Sequence, residues 1–258
     1  MKKFIVFNFK MAPASLLEAK EILQIFKRFS KNLKSYKIVI IPPYVYLPTA
    51  EENLEKKYAL GAQDVFWFNR NSVTGEISPK MLKSLGTQYV IIGHSERREY
   101  FNETDAIINS KIKACLNGNL TPILCIGEKD RKKGDFSSSF RIKKILFEQL
   151  NYALRGIILK KSTDLIITYE PVWAISANQP KKLENPEEIE KTVSLIRFWL
   201  ARRFSEKIAK NLPILYGGSV KSQNILSFLS FKEINGVLVG GASTNKTELT
   251  KLLKKIIK

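Results

Sequence analysis

Histidine occurs once in the 258 residues and cysteine only twice. One histidine cannot furnish a metal site built on a histidine cluster. Cys115 and Cys125 have neither CxxC spacing nor the numbers for a disulfide framework, so no metal and no cofactor is expected. No apolar run is long enough to span a bilayer, and no membrane partner is expected. The opening MKKFIVFNFKMAP begins like a secretion signal. Its apolar stretch is short, broken by Asn8 and Lys10, and lacks a small-residue cleavage site, so it reads as a buried first strand. Cytoplasmic residence is the simplest expectation. Acids are also scarce: 24 Asp and Glu face 43 Lys and Arg, a formal charge of +19. Such a balance attracts anions and raises the question of nucleic acid. The lysines, however, fall in short pairs such as Lys143–Lys144 and Lys254–Lys255, without interleaved aromatics in one tract. The expected outcome is a solvated basic surface, with nucleic acid not expected as a partner.

What is present is a regular alternation. Short β-branched runs occur at 4–9, 37–41, 58–62, 89–93, 122–126, 165–170, 213–217 and 236–240. Each is nearly continuous in apolar character, as in strands of a parallel sheet covered by helices. Helical stripes lie between them: Ile108, Ile112 and Cys115; Ile189, Val193, Ile196 and Leu200; Leu249, Leu252, Leu253 and Ile256. Ser78–Pro79 and Asn185–Pro186–Glu187–Glu188 signal helix starts, the first of them for a short helix that stops before Gly86. No linker interrupts the pattern. Eight strand–helix units predict a single (β/α)8 barrel domain over 1–258, with a doubly wound open sheet as the alternative. In a barrel, chemistry belongs at the C-terminal ends of the strands.

Four groups of polar residues stand there. Asn8 and Lys10 follow the first strand, where a lysine turned inward must meet an anion or a carboxylate. His94 follows the fourth, and Ser95–Glu96 after it looks like a helix start. A helix N-terminus facing the imidazole would disfavour its protonation and keep it neutral. Glu170 follows the sixth strand and precedes an apolar loop, PVWAI. Poor solvation there should raise its pKa and strengthen it as a base. Residues 171–180 read as a mobile apolar flap. Gly217–Gly218–Ser219 and Gly240–Gly241 close the seventh and eighth strands, where barrels bind phosphate through backbone N–H groups.

These segments together resemble the triosephosphate isomerase family. The resemblance rests on FNFKM (7–11), TGEISPKML (74–82), YVIIGHSERR (89–98), CIGE (125–128), YEPVWAI (169–175), YGGSV (216–220) and LVGGAS (238–243), in order along the whole chain. It implies interconversion of dihydroxyacetone phosphate and glyceraldehyde 3-phosphate through an enediol. Glu170 would be the base, neutral His94 the electrophile and proton shuttle, and Lys10 the cation that stabilises developing charge, with Asn8 beside it. Ser95 and Glu96 would support them. Backbone N–H groups of Ser176, Ser219, Gly240 and Gly241 would hold the phosphate, and the 171–180 loop would close over the intermediate. The resemblance further implies a homodimer, with Gln63 and Thr74 at the interface.

The sequence departs from the family pattern at several points. Phe9 stands where tryptophan is common and Ala12 where asparagine is usual. The loop reads AISANQP where the family has AIGTGKT, so Ser176 and Asn178 replace glycines and Pro180 alters the far hinge. An active enzyme with altered lid kinetics is expected. A non-catalytic polyanion-binding barrel would have lost catalytic groups, yet Asn8, Lys10, His94 and Glu170 all remain. A metal-dependent sugar-phosphate isomerase or epimerase would need histidine ligands that are missing.

Overall fold

Eight parallel strands close on themselves in sequence order: β1 (Lys3–Asn8), β2 (Tyr36–Ile41), β3 (Ala59–Ala62), β4 (Thr87–Ile92), β5 (Thr121–Ile126), β6 (Ile166–Tyr169), β7 (Ile214–Tyr216) and β8 (Gly236–Val239). The molecule is described by a computed structural model over residues 2–67, 73–131, 140–175 and 186–257. Helices run back along the outside: α1 (Leu16–Phe29), α2 (Leu47–Asn53), α3 (Pro79–Ser84), α4 (Ser95–Tyr100), α5 (Asp105–Asn117), α6 (Phe140–Ala153), α7 (Pro186–Arg203), α8 (Glu206–Asn211), α9 (Ile225–Ser230) and α10 (Lys246–Ile256). The (β/α)8 barrel is therefore closed, with β1 pairing β8, and the open-sheet alternative falls away.

The two-residue period of a strand sorts its side chains between two cores. Ile5 and Phe7 face the helices, whereas Phe4 and Val6 face the barrel axis with Val39, Ile41, Ile91, Ile123, Cys125, Ile166, Leu215 and Leu238. Continuing that inward register by one step brings Asn8, Gly127, Gly217 and Gly240 to the top of the inner layer, and two steps from Ile166, past the buried Thr168, bring Glu170 there. The site is thus the next storey of the core. The helical stripes behave as their spacing requires: Ile108, Ile112, Cys115, Ile189, Val193, Ile196 and Leu200 are fully buried. Phe9 is buried as well and stacks on Phe26 with ring centroids 6.3 Å apart, so phenylalanine fills the place where the family often has tryptophan.

Helix ends follow local chemistry. Ser78 Oγ accepts the Met81 N–H, Pro79 opens α3, and Gly86 at φ +72° lies just beyond its end. Asn185 and the stretch 176–184 lie outside the described residues, so the cap expected there is not placed.

Candidate active site

His94 is the N-cap of α4 itself. Its Nδ1 accepts the backbone N–H of Glu96 at 3.3 Å, satisfying one of the donors a helix start leaves open. A ring nitrogen that accepts an N–H carries no proton, so the hydrogen-bond network assigns a neutral imidazole protonated at Nε2. The helix start expected after β4 is present, and it acts on the ring by a direct bond.

Nε2 lies 3.0 Å from Glu170 Oε1, with both side chains almost wholly buried. The carboxylate is off the N–H direction, however, and Nε2 has no hydrogen-bond partner among the described residues. The other carboxylate oxygen, Oε2, accepts the Ser95 N–H at 3.1 Å. Room for Glu170 comes from Gly127: a Cβ there would overlap the Glu170 carbonyl, so only glycine lets β5 and β6 converge. Glu170 N–H continues the ladder to the Ile126 carbonyl at 2.7 Å.

The charge state of Glu170 corrects the expectation of a raised pKa. Burial does push the carboxyl up, and it is the largest single influence. The His94 ring, chiefly in its charged form, the Ser95 N–H and the Lys10 ammonium oppose it, and the net pKa lies below the ordinary value. Held by the Ser95 N–H, the carboxylate is a stabilised anion and a weaker base than burial alone would make it.

Lys10 stands in the left-handed region at φ 53° and its Nζ meets Glu96 Oε1 at 2.6 Å. Its backbone is held from both sides. The Lys10 N–H donates to Asn8 Oδ1 at 2.9 Å, and Gln63 Nε2 donates to the Lys10 carbonyl at 2.7 Å. Gln63 therefore positions Lys10 within its own subunit. Thr74 is exposed on a loop next to Gly75, well outside this cluster.

Lys10, His94, Glu96, Glu170, Ile175, Gly217, Gly218, Gly240 and Gly241 line a cavity of about 260 Å³. Larger clefts exist elsewhere, but this one gathers the buried acid, the imidazole and a cation. Gly240 faces Lys10, whose Cε would lie 3.3 Å from an added Cβ, and Gly241 opens a 3-10 turn with nothing near such an atom. Ser219 is buried, and its N–H donates to the Ala174 carbonyl at 3.1 Å. That amide reaches a phosphate only after leaving Ala174. Ser176, with Asn178 and Pro180, lies outside the described residues.

Glu128 was not among the candidates read from the sequence. It is fully buried at the end of β5, where it accepts from Tyr169 OH at 3.0 Å, Trp173 Nε1 at 3.0 Å and Arg131 Nε at 3.0 Å. It thereby ties the start of the loop after β6 to the barrel. A carboxylate straight after an apolar strand is the signal that singled out Glu170, and it applied here too.

A family model described as triosephosphate isomerase matches residues 3–256. Among curated relatives, the triosephosphate isomerase of Dictyoglomus turgidum is 42% identical over 94% of both chains. Those of Dictyoglomus thermophilum and Carboxydothermus hydrogenoformans are 40% and 38% identical, each covering 98% of this chain and 99% and 98% of their own. With a barrel whose inner register ends in a buried carboxylate beside a neutral imidazole, and a family match over almost its full length, the chain belongs to the triosephosphate isomerase family.

Proposed function

We propose that this chain interconverts dihydroxyacetone phosphate and D-glyceraldehyde 3-phosphate through an enediol, with Glu170 moving the carbon-bound proton and His94 acting on the oxygens. The observation that carries the assignment of roles is the approach of Glu170 Oε1 to within 3.0 Å of His94 Nε2, which makes no hydrogen bond among the described residues, in the lining of one cavity. A neutral N–H aimed at a substrate carbonyl stabilises negative charge as it grows, without the proton loss that an imidazolium would risk. Lys10 adds positive charge at the same place, preset by Asn8 and Gln63.

Glu170 would be a poor base where it rests. Transfer of its carboxylate from the Ser95 N–H and His94 to the substrate carbon would leave burial unopposed and raise its proton affinity. Substrate binding then switches the base on. Gly240 and Gly241, with Ser219 once its N–H leaves Ala174, supply amides for the phosphate, and Ser176 belongs to the same proposed set. Glu96 holds Lys10 and Ser95 holds Glu170 until then.

A second copy of the chain is part of this reading. Met11 and Val45 are 99% and 76% exposed in the segments after β1 and β2, and large apolar side chains exposed in this way favour a protein partner. Cytoplasmic residence is proposed on the two unpaired, buried cysteines; no helix of the described residues is long and apolar enough to cross a membrane.

A coupled assay with glyceraldehyde 3-phosphate tests the roles. Glu170→Ala should lower kcat by at least about 10³-fold, as general-base loss does. Full turnover in that variant would refute Glu170 as the base. Activity unchanged in a demonstrably monomeric dilution would remove the homodimer from the proposal.

A further inference from the structure

The lysines that look scattered in the sequence gather at one end of the fold. In this topology every strand begins, and the helices that lead into a strand end, at the barrel face opposite the active site. Lys113 near the end of α5, Arg155, Lys160 and Lys161 before β6, and Lys207 and Lys210 in α8 all lie there and are all exposed. They are brought side by side. Lys113 Nζ reaches Gly156, Arg203 donates to the carbonyls of Leu154 and Ile157, and α8 lies against the 3-10 turn Ser162–Asp164.

Basic residues elsewhere on the surface are of two kinds, some paired and some, such as Lys20 and Lys251, without an ion pair among the described residues. Lys246, Lys191 and Lys57 are paired with Glu21, Glu188 and Glu55. None of the six forms an ion pair among the described residues, and none is among those with further contacts. The nearby Asp164 has Oδ2 turned to the backbone N–H groups of Lys160 and Lys161. Favourable placement at helix C-termini explains bases such as Lys254 and Lys255. It does not explain Lys160 and Lys161, which are in no α-helix.

The surface is also concave. Two clefts of about 460 and 530 Å³ share Lys113, Asn117 and Asn119 and together form one elongated groove; Lys113 and Lys160 of the six line it, with Lys80 and Lys83 at its other end. We propose that this groove, on the face away from catalysis, binds the sugar–phosphate backbone of a single-stranded nucleic acid. Unpaired lysines along a groove neutralise successive phosphates, and the asparagine amides offer hydrogen bonds to sugar or base. A bilayer would instead call for a flat or protruding apolar rim, and only Tyr152 and Ile158 stand out near the six cations among the described residues. The absence of an aromatic tract, which argued against nucleic acid in the sequence, argues only against base stacking. Backbone contacts need none.

Fluorescence anisotropy with an end-labelled oligouridylate of about fifteen nucleotides tests this, because backbone binding is salt-dependent with a slope of about −0.7 per phosphate contacted. The full-length protein should bind at about 50 mM salt. Lys113→Glu, Lys160→Glu and Lys207→Glu combined should weaken binding by at least about tenfold and flatten the salt slope by about two. Triose phosphate turnover and the thermal midpoint should be unchanged, so a folding defect or a loss of catalysis registers separately. Lys20→Glu, Lys144→Glu and Lys251→Glu, an equal charge change on helix flanks, should leave most binding intact. The proposal is overturned by no binding at low salt, by equal loss in both triple variants, or by capture on phosphatidylglycerol vesicles without capture of RNA.

Discussion

Two clusters of buried charge flank α4, and they are built to opposite ends. On one side His94, Glu170, Lys10 and Glu96 meet at the barrel mouth. On the other, Lys111 meets Asp64 at 2.6 Å and Glu103 at 2.5 Å, while Arg97 meets Asp64 at 2.8 Å and Glu103 at 2.6 Å. The second cluster alternates two cations with two anions, each touching both opposites, and it joins the loop after β3 to α4 and α5. The first leaves the His94 Nε2 and the Ser95 Oγ without partners, whereas in the second every charged group is paired and only Glu103 Oε2, the far oxygen of a paired carboxylate, is left over. Buried polar groups left open cost stability and are retained where a ligand will complete them. The closed cluster holds the helix still; the open one waits for substrate.

Substitutions on the two sides should therefore separate rate from stability. His94→Asn should lower kcat by about 10²–10³-fold, the usual cost of an oxyanion-stabilising donor, while unfolding in urea changes by less than about 1 kcal/mol. Lys111→Met should do the reverse. It strands two carboxylates in the interior and should cost about 3–5 kcal/mol of stability, with kcat per folded molecule within about tenfold of the parent. If Lys111→Met proved as damaging to kcat as His94→Asn in fully folded protein, the contrast between the clusters would fail.

Glu128→Gln should have a smaller effect on rate. The amide keeps the shape but loses the charge facing Arg131 and one of the acceptors used by Tyr169 and Trp173. A fall in kcat of up to about tenfold is expected, as for a residue that positions the loop and does not react. Steady-state kinetics with unchanged far-ultraviolet circular dichroism would check it.

The smallest expected effect is on pH-dependent stability. Because the Glu170 pKa is depressed in the fold, its ionised form contributes stability above the unfolded carboxylate range. That contribution disappears as pH falls through the lower, folded value. Urea midpoints of the parent and Glu170→Gln should thus converge on acidification below about pH 4. Divergence there would mean that burial, which raises the pKa, had won.

The strand order, the barrel and the placement of His94 and Glu170 at its mouth were legible because each has a one-dimensional signature. β-branched runs of fixed spacing mark strands, and a polar residue one step past an apolar run marks a site. All eight strands lie within two residues of the predicted runs. The Glu170 pKa was misread because burial is visible in sequence, whereas the Ser95 N–H and the His94 ring come from a different strand–helix unit. The resemblance puts Gln63 at a subunit interface; within its own subunit the amide also donates to the Lys10 carbonyl, which no local pattern records. Lys111 did leave a signal. It sits on the same helical face as Ile108 and Cys115, where a charge demands buried partners. The basic face was invisible for a topological reason: lysines far apart in the chain share one end of the barrel only once every helix has been laid antiparallel to its strand.

The single histidine makes the central claim directly measurable, since imidazole nitrogen NMR on uniformly ¹⁵N-labelled protein needs no assignment. At about pH 7.5 the resonances should report one neutral tautomer, protonated at Nε2 and bare at Nδ1, as expected of a ring that accepts the Glu96 N–H. A proton on Nδ1, or an imidazolium at that pH, would contradict the account of His94 as a neutral electrophile.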